Sequence, residues 1–421
     1  MRLHKLSLRT CDERDRDASG EFLSSRSGTL EDVVAITDPA NVSDVIVIGG
    51  GIIGSAIALR LASAGLRVIV FDRGEPGGEA SSAAAGMLAP FGEKIELGPF
   101  FDLCMASYRF YPDFVQEIEE LSGARVDYRR NGTLLLAVSE EETQELEGIA
   151  ATQQKMGVPS EPLDGETARQ RVPGVSPAVR RGLFIPGDHC VDNELLTRAV
   201  IGAAQWRQNV LFSSESPVRR LNVRKGRVES VEVGGDHTGS AATFSAGQFI
   251  LAAGCWSAEL VRPLGIALHA EPCRGQMMEF DCARELPLVL RAGQHYLVPR
   301  EGGRVVVGTT VEYAGYEKSV TGGGLRSILE GAERILPEVK NFKFRRTWAG
   351  LRPDTGDHLP ILGRGELSNL IFATGHFRNG ILLAPVTAKL VSELVLTGST
   401  SLSIEAFRPT RLIRHGSVRI P

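Results

Sequence analysis

The six cysteines of this chain (Cys11, Cys104, Cys190, Cys255, Cys273 and Cys282) form no CxxC pair and no metal-ligand spacing. That excludes a disulfide framework or a zinc site as the organising feature, and reduced, mostly buried thiols are expected. The longest uncharged apolar run lies between Asp44 and Arg60 and is interrupted by glycines, so no membrane span is expected. There is no basic run with interleaved aromatics, and the net charge is -4. Nucleic acid is therefore excluded as a partner. No internal repeat and no clustered Glu/His pair is visible, and no metal is expected.

Residues 1–42 are rich in Arg, Asp, Glu and Ser and carry no apolar core, so they read neither as a secretory signal nor as an acid-poor transit peptide. They are expected to be a flexible extension or the result of an upstream start, and a cytoplasmic location follows as an expectation. What remains is long enough for two or three domains, with 43% hydrophobic and 23% charged residues, as in ordinary globular proteins.

The chain is organised around Val45 to Asp72, VIVIGGGIIGSAIALRLASAGLRVIVFD. An apolar strand runs into Gly49-x-Gly51-x-x-Gly54, then an amphipathic helix, then a second strand ending in Asp72. This is the β-turn-α-β unit of a dinucleotide site. Gly49 makes the tight turn, Gly51 lets backbone approach a pyrophosphate at the helix N-terminus, and Gly54 lets helix and strand pack closely. Asp72 is placed to accept hydrogen bonds from a ribose. A run of small residues follows, from Arg73 to Pro90, suited to lying flat against a large ligand.

Helices are expected near 100–121, 139–156, 193–206, 324–336 and 385–396, with short strands between them. The strand Phe249 to Gly254 reads as another member of the nucleotide sheet, its end close to the ligand at Gly254. Residues 271–311 read as a more purely β region. No second GxGxxG follows a strand, so one large buried dinucleotide is favoured, and FAD is a better candidate than NAD.

Together GGGIIGSAIALRLASAG, EASSAAAGMLAP, HYLVPR, WAGLRP and GHFRNGILLAP resemble the glycine-oxidizing branch of the FAD-dependent D-amino-acid oxidase family, over about residues 44–408. The resemblance implies an α/β fold: a GR2-type FAD-binding Rossmann-like domain interleaved with a mixed β-sheet substrate domain. The expected divisions are 43–130, 178–262 and 345–408 for the FAD-binding domain, and 131–177 and 263–344 for the substrate domain. It further implies that Ile52 and Ile53 lie at the pyrophosphate turn and that Asp72 and Arg73 hold the adenosine ribose. Ala80, Ser81, Ala85, Gly86 and Met87 would run along the flavin, and Val218 would contact the adenine side through its backbone. His376, Phe377, Arg378, Asn379, Gly380, Ile381 and Leu382 match the loop and helix start at the isoalloxazine. No cysteine occurs at 349–352, where related flavoproteins attach the cofactor, so FAD is expected to be non-covalent.

For the substrate, Arg352 matches the family's carboxylate anchor, a planar fork that stays charged in a dry site. Tyr296 adds a phenol hydrogen bond, and Arg378 is a third substrate candidate. The implied reaction is oxidative deamination of glycine, and of small amines such as sarcosine or D-alanine, with O₂ as acceptor, serving thiamine biosynthesis. A sarcosine, D-amino-acid or proline-type enzyme of the same family is the alternative, with a non-catalytic flavin-binding protein behind it. The family often forms tetramers, so a homotetramer is expected by analogy.

Overall fold

In the computed structural model, which describes residues 27–28, 43–92, 97–234 and 241–411, the apolar run before the glycine motif becomes the middle of a seven-stranded sheet. Its order is Ser27–Gly28, Val210–Ser213, Val68–Phe71, Ser43–Ile48, Ala246–Leu251, Leu370–Thr374 and Ile361–Arg364, with only the last strand antiparallel. Strands such as Val45–Ile48 are apolar at every position because a parallel sheet is covered on both faces. Residues 1–26 and 29–42 of the expected extension lie outside the described residues. Ser27–Gly28, which fall within it, pair at the sheet edge.

Pro99–Ser122 packs over the helices that cover one face of this sheet, Ile52–Ser63, Asn193–Gln205 and Gly380–Thr397. The last is long and apolar enough to cross a membrane, but 67% of it is buried inside the fold. Its Pro385 has no N–H to give the Ile381 carbonyl, and Tyr111 Oη donates to that oxygen at 3.0 Å instead. Ser107 Oγ likewise donates to Leu382 O at 2.6 Å. The neighbouring helix thereby fixes the first turn of Gly380–Thr397, which begins five residues before the helix expected at 385–396.

The second sheet is mixed and has eight strands, ordered Lys343–Asp354, Glu271–Asp281, Arg304–Gly308, His295–Pro299, Val289–Ala292, Thr133–Ala137, Arg181–Ile185 and Glu161–Asp164. Helices Glu140–Met156 and Gly322–Ile335 pack on it. A capping box at Ser139 and Glu142 starts the first, and the Thr321 hydroxyl caps the second. Two strands fall on the other side of the expected divisions: Arg181–Ile185 and Lys343–Asp354 hydrogen-bond in the eight-stranded sheet, not with the nucleotide strands. Sequence periodicity marks a strand but does not say which sheet it joins.

A charged seam joins the two halves. Asp192, which caps helix Asn193–Gln205, accepts from Arg304 at 3.0 Å, and Arg304 also reaches Glu279 at 2.9 Å. Arg346 bridges Glu279 and Glu194 at 2.7 and 2.5 Å. Glu279 is 2% exposed, so its buried charge needs these partners, whereas Arg346 itself is partly exposed.

Candidate active site

A cavity of about 710 Å³ lies between the carboxyl ends of the parallel strands and the face of the eight-stranded sheet. At its nucleotide end Gly49 sits at φ +105°, and a Cβ there would lie 2.5 Å from Ala252 O. Gly54 does not line the cavity. It is buried where a Cβ would fall 1.9 Å from the Gly49 carbonyl oxygen, which is the close helix–strand packing expected of it. Ile52 N donates to Ser81 Oγ at 3.0 Å, tying the small-residue run to the N-terminus of helix Ile52–Ser63.

Asp72 accepts from Gly50 N at 2.7 Å and Gly74 N at 3.0 Å. Desolvation raises its pKa despite those two amides. Each carboxylate oxygen keeps a lone pair for a further donor. Beside it the Arg73 guanidinium stacks on Trp256, 4.1 Å from the ring centroid, and Tyr316 lies 5.7 Å from the same ring. Tyr316 comes from the loop after strand Arg304–Gly308, and its neighbour Lys318 reaches Glu79 at 3.0 Å. Trp256, Glu79 and this loop carried no expected role; an exposed Tyr or Lys in an irregular stretch gives no local signal.

At the other end the eight-stranded sheet forms the floor. Arg352 extends over Gly275, where a Cβ would lie 2.3 Å from its Nη2. It donates to Thr309 Oγ1 at 2.8 Å and to Thr310 O at 3.2 Å. These bonds fix the guanidinium plane while leaving donors free. Tyr296 is 7% exposed and opposes Gly308, whose missing side chain leaves room for the phenol ring. Its hydroxyl meets Met277 Sδ at 3.4 Å, a weak bond that a better acceptor would replace. Gly275, Gly308, Thr309 and Met277 were not foreseen. Glycine inside a strand is the one available hint, since it often marks close approach.

Arg378 is exposed at the rim, its guanidinium 5.2 Å from the Phe377 ring. His376 is buried, 3.1 Å from Thr387 Oγ1, and desolvation pulls its pKa down to about 3. His295 does not line the cavity. Leu382, named for the cofactor, is turned into the core instead; the other residues named for cofactor and substrate, Gly54 apart, line the cavity. Its acidic residues, Asp72, Glu75, Glu79 and Glu259, come from segments 72–79 and 256–260. Among the described residues no cluster could hold a metal ion.

The cavity volume falls within the roughly 300–1,000 Å³ of ligand pockets. A glycine cradle at one helix N-terminus, a second helix beginning at Gly380 and a side-chain-poor floor suit a long, flat, anionic dinucleotide. These features define a flavin-dependent oxidoreductase. Residues 44–394 match the FAD dependent oxidoreductase family, and the chain belongs to it; FAD is its cofactor.

Similar proteins include a glycine oxidase of Bacillus subtilis, 34% identical over 87% of this chain and 97% of its own length. A bifunctional protein ThiO/ThiG of a Synechocystis species is 39% identical over 88% of this chain. The chain spans only 54% of that relative, about half the length of the bifunctional proteins it matches. Among solved structures, glycine oxidase from Geobacillus kaustophilus superposes with a TM-score of 0.83 at 31% identity, covering 88% of this chain and 98% of the other.

Proposed function

We propose that the chain is an FAD-dependent amino-acid oxidase that takes glycine to glyoxylate, ammonia and H₂O₂, and likewise related small amines, D-alanine giving its 2-oxo acid with ammonia and sarcosine giving glyoxylate with methylamine. The observation that carries this reading is the Arg352 guanidinium, held by Thr309 and Thr310 over the bare backbone of Gly275 beside Tyr296. A fixed fork matches a carboxylate, and the phenol adds a second donor. Gripped there, a short amino acid has its α-carbon over the glycine floor. Bound FAD, held by the glycine turn, segment 80–87 and the helix start at Gly380, would supply the two-electron acceptor for that carbon, with O₂ as the final oxidant.

The residues here supply positioning more than proton transfer. His376, the one histidine on the cavity, is neutral at physiological pH and already engaged with Thr387. The amine must therefore arrive neutral, and the released imine hydrolyses in water. A role in thiamine biosynthesis belongs to the same reading, supported by the likeness to the ThiO/ThiG protein, and a homotetrameric assembly is proposed by analogy with the family.

The test is anaerobic mixing with glycine, sarcosine and D-alanine while following flavin absorbance. Bleaching by glycine is expected, and a spectrum unmoved by all three amines would overturn the proposal.

A further inference from the structure

Segment 80–86 borders the cavity and is held from behind by two side chains outside its lining. Asn193 Nδ2 donates to Ser81 O and Ser82 O, both at 2.9 Å. Arg300 Nη2 donates to Ala85 O at 2.7 Å and to Asn193 Oδ1 at 3.1 Å. Arg300 is 2% exposed, among the largest fully buried side chains described, with Asp192 Oδ2 3.7 Å from its Nε. A well-packed apolar residue would serve stability as well as or better than a buried ion pair, so stability alone does not account for this arginine.

The peptide between Ala85 and Gly86 is trans, so its C=O and N–H point in opposite directions. Arg300 draws the carbonyl behind the segment, which turns the Gly86 N–H to the cavity side. Gly86 has little room to rotate back. Its carbonyl accepts from Val191 N at 2.9 Å, and a Cβ on it would lie 1.9 Å from Val191 O. The segment also crosses the sheet floor close to the substrate anchor: a Cβ on Gly350, two residues before Arg352, would lie 2.3 Å from Ala83 Cβ.

We propose that Arg300 is a positioning residue that, through the Ala85 carbonyl, aims the Gly86 amide at the isoalloxazine of bound FAD and raises its affinity for electrons. A fixed N–H donor in a dry site favours the more negatively charged state of its partner, and the reduced ring is that state. The inference rests on FAD as the cofactor and not on the choice of amino acid.

The test uses Arg300→Lys and Arg300→Met as FAD holoenzymes, with the flavin midpoint potential measured by dye equilibration during dithionite reduction. No amino acid is needed, so failure of the substrate reading leaves this measurement intact. Both variants should keep FAD while the reduced-to-oxidised ratio at a fixed poise falls about tenfold, about 30 mV for a two-electron couple. The kcat for glycine should fall with KM unchanged, because Arg352 is untouched. Asn193→Ala, which leaves the Arg300 to Ala85 bond in place, should weaken FAD binding without moving the potential. An unchanged potential in a flavin-loaded Arg300 variant overturns the proposal, as does an equal shift in Asn193→Ala. Failure of both Arg300 variants to fold or to bind FAD makes the residue purely structural and overturns it too.

Discussion

The two sheets meet the same cavity in opposite ways. The parallel sheet presents its ends: loops after strands Ser43–Ile48, Val68–Phe71, Ala246–Leu251 and Leu370–Thr374 bring backbone amides and carboxylates to the ligand while both faces stay buried. The mixed sheet presents its face, and Tyr296, Met277 and Arg352 project from its strands around the bare backbone of Gly275. A site at strand ends is made of contiguous residues; a site on a face is made of register. The first fixes the cofactor through backbone, so errors there endanger the fold, whereas the second fixes the substrate through side chains, so errors there endanger affinity.

The largest effect that separates them is expected from Gly54→Ala. Its Cβ would lie 1.9 Å from a backbone oxygen, which cannot move aside as a side chain can. Overpacking of that kind costs about 3 kcal/mol or more, enough to leave little folded, flavin-loaded protein. The ratio of flavin to protein absorbance in the purified variant measures it, and a fully yellow, stable Gly54→Ala would contradict the division of labour.

Arg352→Ala should come next and should fail differently. Removing one member of a desolvated carboxylate pair costs roughly 3–4 kcal/mol, two to three orders of magnitude in kcat/KM for glycine. FAD content should stay at the parent's level. Steady-state O₂ uptake checks the first statement and visible absorbance the second; unchanged turnover would remove Arg352 from the site.

Gly275→Ala is a smaller and sharper probe, because it repeats the Gly54 experiment on the other sheet. Its Cβ would meet the far end of a flexible side chain, the Arg352 guanidinium, at 2.3 Å. The arginine swings away, and KM for glycine should rise by about tenfold, about 1.4 kcal/mol, with melting temperature and FAD content little changed. If Gly275→Ala instead loses its flavin, the floor holds the cofactor as well as the substrate, and the two sheets do not divide the work.

This difference also explains what could be read in advance. Gly49, Gly51, Gly54 and Asp72 were legible because one stretch of chain carries all of them, each with its own backbone reason. Arg352 and Tyr296 were legible only through motif resemblance. What holds Arg352 was not legible at all: Thr309 and Gly275 lie 43 and 77 positions away, and it takes the pairing of strand Glu271–Asp281 with both Lys343–Asp354 and Arg304–Gly308 to bring them together. The two strands assigned to the wrong half have the same cause, since alternation reveals a strand and not its neighbours. Leu382 was named with the helix start, and its side chain lies in the core because every turn of a helix sends some residues there.

The smallest effect concerns His376, at the end of a parallel strand, and tests whether the strand-end half supplies any proton chemistry. Burial holds its folded pKa near about 3, against 6.5 when unfolded. As pH falls below the unfolded value, the unfolded chain takes up the proton first, so stability contributed by the neutral ring is full above that value and is lost progressively toward the folded one. Each such histidine gives a slope of up to about 1.4 kcal/mol per pH unit. Melting temperature should therefore decline below pH 6.5, and His376→Gln should flatten that decline by one proton's worth. The same variant should leave the ascending limb of kcat/KM against pH where it was, because that limb belongs to deprotonation of the substrate amine. A limb that shifts or vanishes in His376→Gln would make the histidine a base, and the strand ends would then share the chemistry now assigned to the sheet face alone.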